Sequence, residues 1–340
     1  MRYNLIGILI ILVIIIAIVL VYNTSSFLWK ETGVTYHSQD PRNYRYHFVM
    51  ITPATDDGYW NQAHSGALKA ADSQKVALEY FGPKFLDLKE LERFLEMSIL
   101  SSVDGILISV PKDPNFKALI NEAVEKKIPV ISLFNESDET KRVAFVGVNT
   151  YDLGFKTGQA LRRAVSGTIK VAVLVNSSFS NVNYHRYLKG IQDAISSESG
   201  LQLNLILTSK GSSISAEEQT QTILTHHPEI QVIICSSASD TLGVAKVVVD
   251  LNRVTRMTII GSGLTSEIAT YIQRGVIWGV LADDPKQLGF QGMSTLIRAR
   301  EGKPIRENYD MPLFLINNHN LATYSKKLIE PAEEGNHDSN

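Results

Sequence analysis

From Tyr46 onwards, short apolar runs rich in β-branched residues alternate with segments of helical periodicity, and the alternation occurs in two series. Few architectures accommodate this pattern. A strand that reads as a continuous apolar run is buried on both faces, and helices inserted between such strands supply the cover. In the first series the expected strands are Tyr46–Thr52, Val76–Phe81, Asp104–Val110, Pro129–Leu133 and Val143–Val148. The clearest helix between them is Leu88–Leu100, where Leu88, Leu91, Leu95 and Ile99 share one face. Asn115–Lys127 is another. The second series predicts strands at Ile169–Val175, Leu201–Thr208, Gln231–Cys235, Met257–Gly261 and Trp278–Ala282. It predicts helices at Tyr151–Ala164, Asn183–Ser197, Ala216–His227, Leu242–Asp250 and Ser266–Arg274. Ser215 and Glu218 are spaced as a capping box for the third of these. The expected fold is α/β, with two doubly wound parallel-sheet lobes. A helix at Pro285–Arg300, a Gly302–Pro304 turn and an apolar run at Met311–Ile316 close the pattern, and the polar tail 329–340 reads as disordered.

A length of 340 residues suits two such units. A formal net charge of -2 gives no electrostatic case for a nucleic-acid partner. The single cysteine, Cys235, excludes an intrachain disulfide and any cysteine-built metal site. It lies in the apolar run VIICSS and reads as a small core residue. The amino terminus differs from all that follows. Leu5–Val21, LIGILIILVIIIAIVLV, carries no charge and no polar side chain, and Tyr3 and Tyr22 flank it. That run lies at the lower end of what spans a bilayer as a helix. It exceeds the usual signal-peptide core, and no small-x-small cleavage site or cysteine follows it. Residues 1–24 therefore read as an uncleaved transmembrane anchor and 25–45 as a juxtamembrane linker, with the remainder on the extracytoplasmic face of the cell membrane. Arg2 before the span leans toward a cytoplasmic amino terminus.

Phe48–Trp60, FVMITPATDDGYW, joins the first strand to the first helix through a loop carrying Asp56, Asp57, Tyr59 and Trp60. Loops at the carboxyl ends of sheet strands are where open α/β folds hold ligands. Carboxylates beside aromatics suit a polyol; the plainer alternative is a solvated turn followed by two core aromatics. Other signals carry no chemistry. Gly261-Ser-Gly263 lacks the third glycine and the acidic residue of a dinucleotide site. His226 and His227 are adjacent and do not face one another on a helix. No G-x-S-x-G elbow or Walker loop occurs. No enzyme, no cofactor and no metal site is expected.

From Tyr46 to about Thr323 the chain resembles the type I periplasmic sugar-binding proteins of the ribose-binding class, which share their fold with the effector domain of lactose-repressor-like regulators. The resemblance is carried by Asp104-Gly-Ile-Leu-Ile-Ser-Val-Pro111, Ile128-Pro-Val-Ile131, Phe145-Val-Gly-Val-Asn149 with Leu153-Gly154, Ile259-Ile-Gly-Ser262, and Pro285-Lys-Gln-Leu-Gly289, in that order. It implies three crossing strands between the lobes, near Val148–Asn149, Ala282–Asp284 and Pro312–Leu313. The lobes are then 46–148 with 284–312, and 149–283 with 313–328. Ligand binds between them and a hinge closes on it. No amino-terminal helix-turn-helix precedes the lobes, so a transcription regulator is not the expectation.

The resemblance also implies where a ligand is held. Asp57, Tyr59 and Trp60 fall at clamp positions of the first loop. Elsewhere the clamp of the ribose-binding class is changed: its Asp-Arg pair after the fourth strand falls at Phe134-Asn135, an arginine at His185, an Asn at Ser237 and a Gln at Asp283. The Asn before the third-strand proline is Val110, and the Asp after the "G" of the ninth strand is Gly263. The candidate site is Asp57, Tyr59, Trp60, Phe134, Asn135, His185, Ser237 and Asp283. Asp283 has an alternative role as a hinge residue and His185 as an ordinary loop histidine. A degenerate cleft serving protein contact is the alternative to a changed ligand. With its apolar amino terminus the chain resembles anchored sugar sensors that present a small sugar to the extracellular domain of a histidine kinase. The substrate-binding protein of an ABC sugar permease is the alternative.

Overall fold

The computed structural model describes residues 44–328, apart from 56, 85, 112, 135–139, 178 and 180. The expected anchor at 1–24, the linker as far as 43 and the tail 329–340 lie outside the described residues. Among the described residues no helix is long and apolar enough to cross a membrane.

The first series folds as β1 (Tyr46–Ile51), α1 (Gly58–Ser73), β2 (Val76–Phe81), α2 (Leu88–Leu100), β3 (Gly105–Ile108), α3 (Pro114–Glu125), β4 (Val130–Phe134) and β5 (Ala144–Gly147). The second folds as α4 (Thr150–Ala164), β6 (Ile169–Asn176), α5 (Asn181–Ile195), β7 (Leu201–Ser209), α6 (Ser213–His226), β8 (Val232–Cys235), α7 (Ala238–Asp250), β9 (Thr258–Ser262), α8 (Ser266–Gln273) and β10 (Gly279–Ala282). Then come α9 (Pro285–Arg300), β11 (Asn308–Asp310), β12 (Phe314–Asn317) and α10 (Leu321–Leu328).

Two six-stranded sheets result, ordered β11-β5-β4-β3-β1-β2 and β12-β10-β9-β8-β6-β7. The two orders are the same topology used twice. All pairings of the first sheet are parallel. In the second only the edge pair β10–β12 is antiparallel. Side chains alternate along each strand, so each sheet feeds two cores. In β1, Phe48 and Met50 enter the core under α1 and α9, while Val49 and Ile51 enter the one under α2 and α3. The second sheet does the same with Ala172 and Leu174 on one face and Val171 and Val173 on the other.

The chain passes between the sheets three times: from β5 to α4, from β10 to α9, and from β11 to β12. The passage at each end hands a helix to the other lobe. Leu288, Met293 and Leu296 of α9 pack in the first lobe with Trp60 and Ala63 of α1. Leu161 and Ala160 of α4 pack in the second with Tyr187 and Ile191 of α5. Both helix pairs touch backbone to backbone. A Cβ on Gly289 would strike the Ala63 carbonyl, and one on Gly154 would strike that of Tyr187. A further tie joins the lobes, where Gln62 Nε2 of α1 donates to the Leu328 carbonyl of α10 at 2.7 Å.

Three details differ from the sequence expectation. α6 begins at Ser213, capped by Ser212, whose hydroxyl accepts from Ser215 N; the Ser215 hydroxyl accepts instead from Lys210 N. The Ser215–Glu218 box is thus displaced, because a hydroxyl three residues earlier caps first. α7 starts at Ala238, before its apolar periodicity, because Asp240 and Thr241 are fully buried in its first turn. The helix α10 follows a polar stretch that offers little periodicity, and was not expected.

Candidate functional site

In a parallel sheet every strand delivers its following loop and helix amino end to the same edge, so the carboxyl edges of both sheets carry all the loops that can hold a ligand. Those two edges meet. Tyr59, in the first turn of α1 after β1, donates its hydroxyl to Asp283 Oδ2 at 2.7 Å, and Asp283 ends the strand segment that passes from β10 to α9. One hydrogen bond therefore joins the first lobe to the hinge.

Around it lie three rings. Tyr59 meets Trp60 at 5.2 Å and Phe134 at 5.3 Å between centroids, and Trp60 meets Phe134 at 5.9 Å, all edge to face. That geometry suits the ring quadrupoles. The three are not equally available. Trp60 is 7% exposed and belongs to the core of the first lobe; Phe134 is 40% exposed. Phe134 also has φ +64°. The other non-glycine residues with positive φ are Lys75, Ser102, Lys127 and Asn252, each just past the end of a helix. That is where left-handed residues ordinarily terminate helices. Phe134 ends a strand and has no such reason. A bulky residue there is strained, and such strain concentrates at functional sites.

Asp57 is the N-cap of α1, its carboxylate accepting from Tyr59 N at 2.7 Å and Trp60 N at 3.3 Å. It sets the orientation of both aromatics and remains exposed. Asp283 is 8% exposed. Burial raises its pKa to about 6, against the opposing bond from Tyr59. Burial, and then the Asp283 charge, push the Tyr59 hydroxyl well above its usual range, with Asp57 and Asp284 adding to the effect. Asp284 caps α9 by accepting from Gln287 N at 3.2 Å.

On the second lobe Ser237 caps α7 and its hydroxyl is fully engaged. It donates to Asp240 Oδ2 at 2.7 Å and accepts from Asn176 Nδ2 at 3.1 Å and Asp240 N at 3.2 Å. Its protein partners thus leave no lone pair or proton for a ligand. Asp240, fully buried, was not singled out from sequence; burial raises its pKa, opposed by the hydroxyls of Ser209 and Ser237 and the Asn176 amide. Asp240 stands three residues after a cap serine, the spacing that could have drawn attention to it. His185 is exposed on α5, its ring edge to face with Tyr184 at 5.2 Å. Asn135 lies outside the described residues. The structure thus gathers Asp57, Tyr59, Trp60, Phe134 and Asp283 into one cluster, while Ser237, at the start of α7, and His185, on α5, belong to the second lobe. Cys235 is buried in the second-lobe core. Among the described residues no group of three or more His, Cys, Asp or Glu could hold a metal.

Residues 48–304 match the model of the periplasmic binding protein domain. The chain belongs to the periplasmic binding protein family. Its members are non-enzymatic binding proteins that work outside the cytoplasm, and the fold here is that of the sugar-binding, ribose- and allose-type members. The ribose import binding protein RbsB of Escherichia coli is 20% identical over 271 residues, 79% of this chain and 89% of that protein. The crystal structure of GanP, a glucose-galactose binding protein from Geobacillus stearothermophilus, is 31% identical with a TM-score of 0.76, and the match covers 81% of this chain and 98% of GanP. XylFII, in its complex with LytSN, is 24% identical with a TM-score of 0.71, covering 80% of this chain and 98% of XylFII.

Proposed function

We propose that this chain holds a small sugar, a pentose or similar polyol, in the cleft between its lobes, and that closure of the hinge on the sugar signals to a membrane partner. The observation that carries the reading is the Tyr59–Asp283 bond beneath the exposed, strained ring of Phe134. It offers an apolar platform and a buried acceptor beside the passage between the lobes. A sugar ring stacks its apolar face on such a ring and gives its hydroxyls to the carboxylate. Contact with both lobes favours the closed form by as much as the ligand binds it better than the open one. Asp57, Tyr59, Trp60, Phe134, Asn135 and Asp283 are the proposed site, with Trp60 supporting from the core. Ser237 and His185 are its second-lobe members, Ser237 through the network it anchors.

The partner is a histidine kinase extracellular domain in this reading. The apolar run Leu5–Val21 supports an anchor that keeps the receptor beside it, and the likeness to XylFII in complex with LytSN supports a receptor that docks another protein. The ribose import protein among the relatives supports a second reading, delivery of the sugar to an ABC permease. Deletion of the gene separates the two: a transport role predicts lost uptake with induction intact, a sensor role the reverse.

The site is tested by a thermal-shift screen of the full chain, held in mild detergent, against pentoses and hexoses. A ligand of the folded state raises the unfolding midpoint by mass action. Phe134→Gly relieves the positive φ and removes the platform, so it is expected to fold and to lose the rise. An undiminished rise in that variant places the site elsewhere.

A further inference from the structure

The charged groups acting on the Tyr59 hydroxyl are three carboxylates, Asp283, Asp57 and Asp284. Asp57 and Asp284 are committed to capping α1 and α9, where the helix amino ends offset part of their charge. Asp283 is not a cap. Its side chain has Tyr59 as hydrogen-bond partner, and the charge that acts on it is another carboxylate, that of Asp284. No ion pair among the described residues includes Asp57 or Asp283. A buried carboxylate without a cation is unfavourable, and closure of the lobes on a neutral ligand removes still more of its water. A bare metal ion is a poor answer, because the carboxylates do not converge as a metal site among the described residues. The exposed Phe134 ring beside Tyr59 supplies an apolar surface next to that carboxylate, on which the ring of a sugar can lie.

Resting on the sugar-binding reading above, we infer that the cleft is built for a sugar bearing a protonated amine, with Asp283 as the residue that selects it. The ammonium donates to Asp283 at the base of the cleft, and the ring lies on Phe134. Hydrogen bonds to a charged partner are stronger than neutral ones by an amount worth about tenfold or more in affinity.

The experiment compares ligands with one ring and three charges. Isothermal titration of the full chain at pH 7 uses D-glucose, D-glucosamine and D-glucuronate, and the matching galactose set. The expected order is amine, neutral, acid, with the amine about tenfold or more ahead of the neutral sugar. In Asp283→Asn, which keeps an acceptor for Tyr59, the amine and neutral sugars converge to within about twofold. The unaltered protein supplies a second measurement: the preference for the amine shrinks as the pH is lowered through about 6, where Asp283 takes up a proton. A neutral or acidic sugar binding tightest overturns this inference and leaves the sugar site standing. A preference that survives both Asp283→Asn and acid overturns the role of Asp283. No binding by any member of either set overturns this inference, and removes the sugar reading as well when the pentoses of the thermal-shift screen also give no rise.

Discussion

The two lobes cap their cleft-facing helices with different chemistry. In the first lobe α1, α2, α3 and α9 are capped by Asp57, Asp87, Asp113 and Asp284. In the second lobe α4, α6, α7 and α8 are capped by Asn149, Ser212, Ser237 and Thr265. Either set satisfies the free backbone N–H groups of a helix amino end. Only the first does so with charged caps; in the second the acids Asp152, Asp240 and Glu267 stand in the first turns, behind uncharged caps. Two sheets of one topology thus present unlike caps, carboxylates beside aromatics on one, amide and hydroxyl groups on the other. The lesson is that capping, a local demand of each helix, also sets the field that a ligand meets between the lobes.

Substitutions can break or sharpen this contrast. The largest expected effect is on the aromatic side. Trp60→Ala opens a cavity in the first-lobe core and is expected to cost about 3–5 kcal/mol in denaturant unfolding. A cost below about 1 kcal/mol would show that the ring is a surface wall rather than core. Next is Asp283. Its folded-state pKa, about 6, lies above the ordinary carboxylate value, so the folded protein binds this proton more tightly than the unfolded chain. The stability it contributes is complete below about pH 4 and is lost as the pH rises through about 6, to the extent of about 3 kcal/mol. Asp283→Asn is expected to remove that slope from the stability profile; a slope unchanged between pH 4 and 7 assigns it to other groups. On the hydroxyl-rich side, Ser237→Ala strips the donor from buried Asp240 and the cap from α7, for about 1–3 kcal/mol by the same unfolding measurement. The smallest effect tests the contrast itself. Asp113→Asn keeps a cap on α3 and removes a charge, so stability is expected to change by less than about 1 kcal/mol. The same change in Asp87 adds to it independently, and the two together weaken the attraction of a cationic ligand measured at low salt.

The fold was legible because the strands are buried on both faces and so read as unbroken apolar runs: β2, α2 and α9 have the bounds their patterns predict. Three elements were not, and β11 is the plainest, its three residues Asn308, Tyr309 and Asp310 carrying no apolar run. α10 follows a polar stretch, and α7 opens on Ser237, Ser239 and Asp240, residues that resemble a solvated loop until their mutual bonds are seen. The site divides in the same way. That Tyr59 and Trp60 stand together beside the first strand is written in consecutive positions. That Tyr59 reaches Asp283 is a contact across 224 positions, set by how the crossings turn one lobe over the other. Asp57 and Ser237 are expected at the site from the resemblance, and their side chains also hold helix ends. Residue type and loop position do not distinguish a carboxylate aimed at a ligand from one aimed at its own helix, because both occur at the same edge of the sheet.

The bond from Gln62 to the Leu328 carbonyl gives a way to watch the hinge from outside. The two residues belong to the opening helix of one lobe and the closing helix of the other. Any rotation of the lobes must stretch or preserve that contact. The single native cysteine is buried and so is Leu328, so a thiol introduced at the half-buried Gln62 is the one a dye will find. A fluorophore at Gln62 would make the contact an optical gauge, reporting occupancy of the cleft without touching one of the residues proposed to line it.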